Sequence, residues 1–154
     1  MFVDLKEYGF TQADFLAAGN FINENINENN SREMVPGRVT EKQRELYKVI
    51  CEYGETSAEI KGSFYHTLTD DDEFPAVGDF VLIKYNKGGS SLIAAVLPRR
   101  SKFSRANLSG HLEGYAKFIK EQVVASNFDC IFILSSLNFD FNPARLARYL
   151  SAAW

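Results

Sequence analysis

From Pro98 to Arg105 the chain reads Pro-Arg-Arg-Ser-Lys-Phe-Ser-Arg. Arg99, Arg100, Lys102 and Arg105 place four cations in eight residues, with Phe103 among them. These are residues for phosphate chemistry: a guanidinium fork takes two oxygens at once, and a lysine adds a flexible point charge. A solvated charged linker is the competing reading. Phe103 is read as a plug between folding units rather than a base-stacking platform. Arg38, Lys42 and Arg44 form a second candidate set. Lys42 and Arg44 stand in Glu-Lys-Gln-Arg-Glu, residues 41–45, whose charges nearly cancel, as they would in a loop that is only soluble. Arg38 is read either as a phosphate contact or as the partner of a carboxylate across the fold. No catalytic or cofactor-binding residue is read in the chain.

Other polar groups carry less. Asp70, Asp71, Asp72 and Glu73 lack the glycine and distal glutamate of a calcium loop and read as a solvated acidic loop. His66 and His111 are isolated. Tyr47, Tyr65 and Tyr85 read as packing residues of a barrel wall or rim. Cys51 and Cys130 fall in strand-like apolar runs with no Cys-x-x-Cys spacing, so both are expected to be reduced core residues and no metal is expected. The formal net charge is -3, whereas a sequence-blind nucleic-acid binder is usually cationic. The charge is uneven, however, and the local field decides whether a phosphate is attracted. Residues 1–36 sum to -4 and residues 37–105 to +1. No run approaches the ~20 apolar residues of a membrane span. The first residues carry acids and no long apolar stretch, so a cytoplasmic location is expected.

The elements that position these residues fall into regions. Residues 1–35 read as a helical extension broken near Gly9 and Gly19, with Thr11 as an N-cap three residues before Asp14 and a polar linker over Asn23–Ser31. Residues 36–98 read as a small β unit. Its strands are expected at Arg38–Thr40, Tyr47–Cys51, an alternating run from Ala58 through Phe64, Gly78–Tyr85 and Ser91–Leu97, with charged loops at 41–45 and 69–75. Five short strands in about sixty residues suggest a closed barrel of the oligonucleotide/oligosaccharide-binding (OB) type. Residues 99–114 read as a basic joint. From 115 onwards the character changes. Leu112–Val124 reads as partly helical, and Asp129–Ser136 as a continuous apolar strand of the kind covered on both faces in parallel sheets. Asn142 and Pro143 open a helix. A parallel strand without neighbours cannot cover itself, so residues 115–154 are expected to be the truncated start of an α/β domain. The strand near Ile131–Leu134 is expected to lie against the barrel or to pair with another copy.

An ordered series of pieces resembles the ribosome small-subunit-dependent GTPase A family (RsgA/YjeQ) over roughly residues 35–154. It runs through Pro36-Gly-Arg-Val39, Tyr47-x-Val49, Gly54-Glu55, Ala58-Glu-Ile-x-Gly62 and Pro75-Ala-Val-Gly-Asp-Phe-Val81. It continues with Val96-Leu-Pro-Arg-Arg-Ser-x-Phe-Ser-Arg105, Glu121–Asp129, Ile131-Phe-Ile-Leu134 and Arg145-Leu-Ala-Arg-Tyr-Leu150. The resemblance implies an N-terminal OB barrel, then a circularly permuted GTPase domain, then a zinc-binding domain. It implies GTP, magnesium and a structural zinc for the parent, late maturation of the small ribosomal subunit as its task, and the small subunit with its 16S rRNA as partner. It implies a monomeric parent and RNA contact through Arg38, Lys42, Arg44, Arg99, Arg100, Lys102 and Arg105. The sequence departs from the family pattern in having no Gly-x-x-x-x-Gly-Lys-Ser/Thr and no Asn-Lys-x-Asp. The segment alone is therefore expected to be inactive as a GTPase. A stand-alone OB adaptor for single-stranded nucleic acid or a protein is the alternative.

Overall fold

A computed structural model describes residues 2–25, 34–44, 46–66, 68, 74–107 and 120–153. Its strands are β1 (Met34–Gln43), β2 (Leu46–Cys51), β3 (Gly54–Ile60), β4 (Phe80–Lys84), β5 (Ser91–Val96), β6 (Lys102–Asn107) and β7 (Lys120–Ser126). The first five close into a barrel in the order β1-β2-β3-β5-β4. β3 meets β5 in parallel, and the other barrel neighbours run antiparallel. This is the OB-type barrel that the strand pattern implied.

Two stretches inside the barrel differ from expectation, each for a local reason. β1 is long because it serves two neighbours: Met34–Arg38 pairs with β4, and Gly37–Gln43 pairs with β2. A bulge between Val39 and Glu41 makes the bend between them. Residues 41–43, expected as loop, are therefore strand, and the turn contracts to Arg44 with φ 55° (Glu45 lies outside the described residues). At the other margin, β3 stops at Ile60 instead of running through Phe64. Its parallel ladder with β5 ends at Ile60↔Ile93, closed by the Lys61 amide on the Ile93 carbonyl. Without a further partner the chain winds into a short helix, α2 (Gly62–Tyr65).

The barrel interior holds Val35, Val39, Tyr47, Val49, Cys51, Ala58, Val81, Ile83 and Ile93. A second cluster lies outside β4 and β5, where Phe80, Leu82, Ala95 and Leu97 receive Phe10, Ala18, Phe21 and Ile22. β4 is thus covered on both faces, which explains its unbroken Phe-Val-Leu-Ile run. The covering element is α1 (Gln12–Asn25). Thr11 and Asp14 cap its start reciprocally, as expected: the Thr11 amide and hydroxyl donate to the Asp14 carboxylate, and the Asp14 amide donates to the Thr11 hydroxyl. A 3-10 turn, Leu5–Tyr8, precedes it and ends at Gly9 in the left-handed region. The expected break at Gly19 is absent. A mid-helix glycine costs only about 1 kcal/mol, less than burying even one large apolar side chain contributes, at about 1.5–3 kcal/mol.

Beyond the barrel the basic stretch is itself a strand. β6 pairs antiparallel with β7, so Lys120–Val124 is strand where partial helix was expected, and residues 112–119 of that reading lie outside the described residues. Residues 129–136 form no ladder. Phe132 is 85% and Leu134 93% exposed, and Cys130, expected in a core, is exposed as well. The run has strand composition, but among the described residues it lacks the neighbours that would turn composition into a strand. Asn142 caps α3 (Pro143–Ala153) as expected, its side-chain oxygen accepting from the Arg145 amide at 3.0 Å. Among the described residues no helix is long and apolar enough to cross a membrane.

These differences set an order of protection. Amides of β2 and β4 are expected to exchange with deuterium far more slowly than those of residues 131–134, which lack ladder partners. Faster exchange in β4 than at Ile131 and Ile133 would contradict this order.

Candidate functional site

A network of buried and half-buried polar residues forms where the barrel gives way to the hairpin. At their centre is Asp79, just before β4, with a side chain that is 0% exposed. Its carboxylate accepts from the Ala76 amide at 2.7 Å, from Arg99 Nε at 2.8 Å and Nη2 at 2.7 Å, and from the Ser126 hydroxyl in a short contact. Arg99 Nη2 also donates to the Phe74 carbonyl at 2.8 Å, and its side chain is only 14% exposed. This is a bidentate, buried, charge-assisted pair, the strong kind.

Asp79 thereby ties the barrel to the far end of β7. Around it the backbones interlock. The Ser126 amide donates to the Val77 carbonyl, and Val77 bridges Ala125 in parallel. Asn127 Nδ2 donates to the Gly78 carbonyl, while its Oδ1 accepts from the Arg100 amide. Ser101 and Phe128 exchange two further bonds. Gly78 is required by this approach: its φ is +93°, and a Cβ there would lie 2.1 Å from the Ser126 carbonyl oxygen.

The cations chosen from sequence divide by what they touch. Arg38 is half-buried and donates to backbone carbonyls: Nε to Gly78 at 3.2 Å, Nη1 to Tyr8, and Nη2 to Asn127 at 2.8 Å. Its pKa is lowered, first by burial and then by the charge of Arg100. Arg100 is exposed and donates to the Gly9 carbonyl at 2.9 Å. The guanidinium carbons of Arg38 and Arg100 lie 5.3 and 5.9 Å from the centre of the Phe80 ring. Phe103 is half-buried in β6, opposite Ala125.

Lys102 and Arg105 stand on the exposed surface of β6. Lys102 pairs with Glu121 at 2.9 Å, and Arg105 Nε donates to Gln122 at 2.9 Å. The Lys102 hydrogen bond, and then that of Ser104, hold the Glu121 carboxyl below its ordinary pKa. Lys42 and Arg44 line a separate cleft of about 540 Å³, with Leu46, Tyr47, Glu59, Ile60, Tyr65 and Phe74. There Lys42 Nζ donates to the Pro75 carbonyl at 3.0 Å, and Tyr65 meets Phe74 edge-on at 5.7 Å. The structure therefore gathers Arg38, Arg99 and Arg100 at the joint and leaves the other cations on the hairpin and in this cleft. Asp79, Ser126, Asn127 and Phe80 were not singled out from sequence. The Val-Gly-Asp step at 77–79 was the available signal, because an acid after glycine at the mouth of an apolar strand must find a partner.

The chain is similar to small ribosomal subunit biogenesis GTPase RsgA 2 of Lactiplantibacillus plantarum, with 33% identity over 154 residues, all of this chain and 39% of that protein. It is 40% identical to RsgA 2 of Listeria monocytogenes over 151 residues, 97% of this chain and 36% of that protein. Among solved structures it is similar to YjeQ from Thermotoga maritima, with 24% identity and a TM-score of 0.39 over 46% of this chain and 24% of that one. No family model matches. The chain spans less than two fifths of the length of these curated relatives.

The close approach at Gly78 gives a direct test. Gly78→Ala is expected to destabilise the chain far more than Gly54→Ala. Both positions carry positive φ, which costs an alanine about 1–2 kcal/mol, but a Cβ at Gly54 meets open space. Equal losses in urea unfolding would show that the Ser126 carbonyl does not press on Gly78.

Proposed function

We propose, from the premise that this chain belongs to the small ribosomal subunit biogenesis GTPase A family (RsgA/YjeQ) as an N-terminal segment, that it is the part of such a GTPase that docks on the small subunit by contacting its 16S rRNA. In this reading the whole protein hydrolyses GTP to GDP and phosphate late in subunit maturation, in the cytoplasm, as a monomer. The 154 residues contain no phosphate-loop or guanine-specificity motif. Residues for GTP and magnesium would come from elsewhere in a full-length member. Likewise, among the described residues no group of three or more His, Cys, Asp or Glu is placed to hold zinc.

The observation that carries the docking role is the hairpin: an OB barrel leads straight into an antiparallel pair on which Lys102 and Arg105 are both exposed, one on each face. An exposed ion pair such as Lys102–Glu121 contributes about 0–1 kcal/mol, so exchanging Glu121 for a phosphate costs little. Arg44, at its exposed turn, and Lys42 would add contacts from the cleft. Arg99 would act mainly through the joint, by holding the hairpin at a fixed angle to the barrel.

Changing Lys102 and Arg105 together to Ala should flatten the plot of log K against log salt for binding to small subunits. Each lost single-strand phosphate contact removes about 0.7 from the slope, so the expected change is roughly 1.4. The melting temperature should stay nearly constant. An unchanged slope would remove the hairpin from the RNA interface.

A further inference from the structure

We propose that Arg38 and Arg100 together form a binding site for a phosphoryl group, built between the N-terminal extension and the barrel. The two guanidinium groups share the fully buried Phe80 ring as a base. They are steered there by consecutive carbonyls of the extension, Tyr8 for Arg38 and Gly9 for Arg100, presented where the 3-10 turn ends at left-handed Gly9. Three of the five N–H groups of Arg38 are satisfied by carbonyls, whereas the Arg100 side chain donates one bond to the protein. The remaining donors on both forks have no protein acceptor among the described residues.

Among the described residues no carboxylate stands within ion-pair distance of either arginine. Asp129 and Asp14 attract Arg38 only from farther away, and Asp14 is already engaged by Thr11. Two cations side by side repel each other, and contact with an aromatic face offsets part of that cost. An anion between them removes it. The Arg99–Asp79 pair in the same joint shows what a carboxylate matches, namely a single fork. A phosphoryl group, with more oxygens, can accept from two forks at once. The anion chemistry stands on this geometry alone; only its source, the backbone of an RNA strand, rests on the function proposed above.

The test is arginine side-chain NMR on the whole 154-residue chain, titrated at constant ionic strength with inorganic phosphate and separately with a short single-stranded RNA. Phosphate is expected to shift the Nε–H signals of Arg38 and Arg100 and the Gly9 amide saturably, with Arg99 unmoved. Arg100→Gln, at an exposed position, should weaken phosphate binding at least tenfold while leaving the thermal melt close to that of the parent chain. The absence of a saturable shift at the pair, or an Arg100→Gln chain that binds phosphate as tightly as the parent, overturns the site. Matching shifts with RNA support the backbone as the source. Phosphate shifts without RNA shifts support the anion site and overturn RNA as its occupant, whatever the salt slope at Lys102 and Arg105 shows.

Discussion

A buried carboxylate governs this structure. Removing an ionised acid from water costs several kcal/mol unless charge and hydrogen bonds replace the lost hydration. Asp79 has no exposure, and its replacements come from three separate places: the Ala76 amide beside it, the Arg99 fork after β5, and the Ser126 hydroxyl at the end of β7. Satisfying Asp79 therefore brings the exit of the barrel and the end of the hairpin to one point. The left-handed Gly78, the Val77–Ala125 bridge and the Asn127 contacts all follow from that convergence. The barrel and the hairpin are in this sense one body rather than a domain and a tail.

The barrel was legible in the sequence because its strands announce themselves locally. Alternation in β2 and β3, the apolar run of β4 and the turn residues between strands all act within a few positions. The failures were non-local. Bulging and pairing with β2 drew the polar residues 41–43 into β1 against their polarity. Packing on the outer face of β4 and β5 carried α1 through Gly19. Residues 102–107 and 120–126 became strands because they found each other, whereas the more strand-like run at 129–136 has no ladder partner among the described residues. Composition states what a segment tolerates, and pairing decides what it becomes.

The same limit applies to the candidate site. Arginines in a cluster look alike in sequence, yet each has a distinct set of partners here. Arg99 meets a buried acid, Arg38 holds three carbonyls, Arg100 sits exposed on Phe80, and Arg105 lies on the hairpin surface. What separates them is the position of Asp79, Gly78 and Gly9, two of which are glycines with no side chain to advertise a role. A chain with net charge -3 can still present cations locally, because its acids lie largely elsewhere or are internally paired.

The Asp79 node makes barrel and hairpin a single cooperative unit. A double-mutant cycle with Asp79→Asn at the barrel and Ser126→Ala at the end of β7, followed by urea unfolding, tests this directly. Coupling is expected, with the double variant less destabilised than the sum of the single variants by about 1 kcal/mol or more. Losses that add to within about 0.5 kcal/mol would mean that the two residues act independently and that barrel and hairpin are not joined through Asp79.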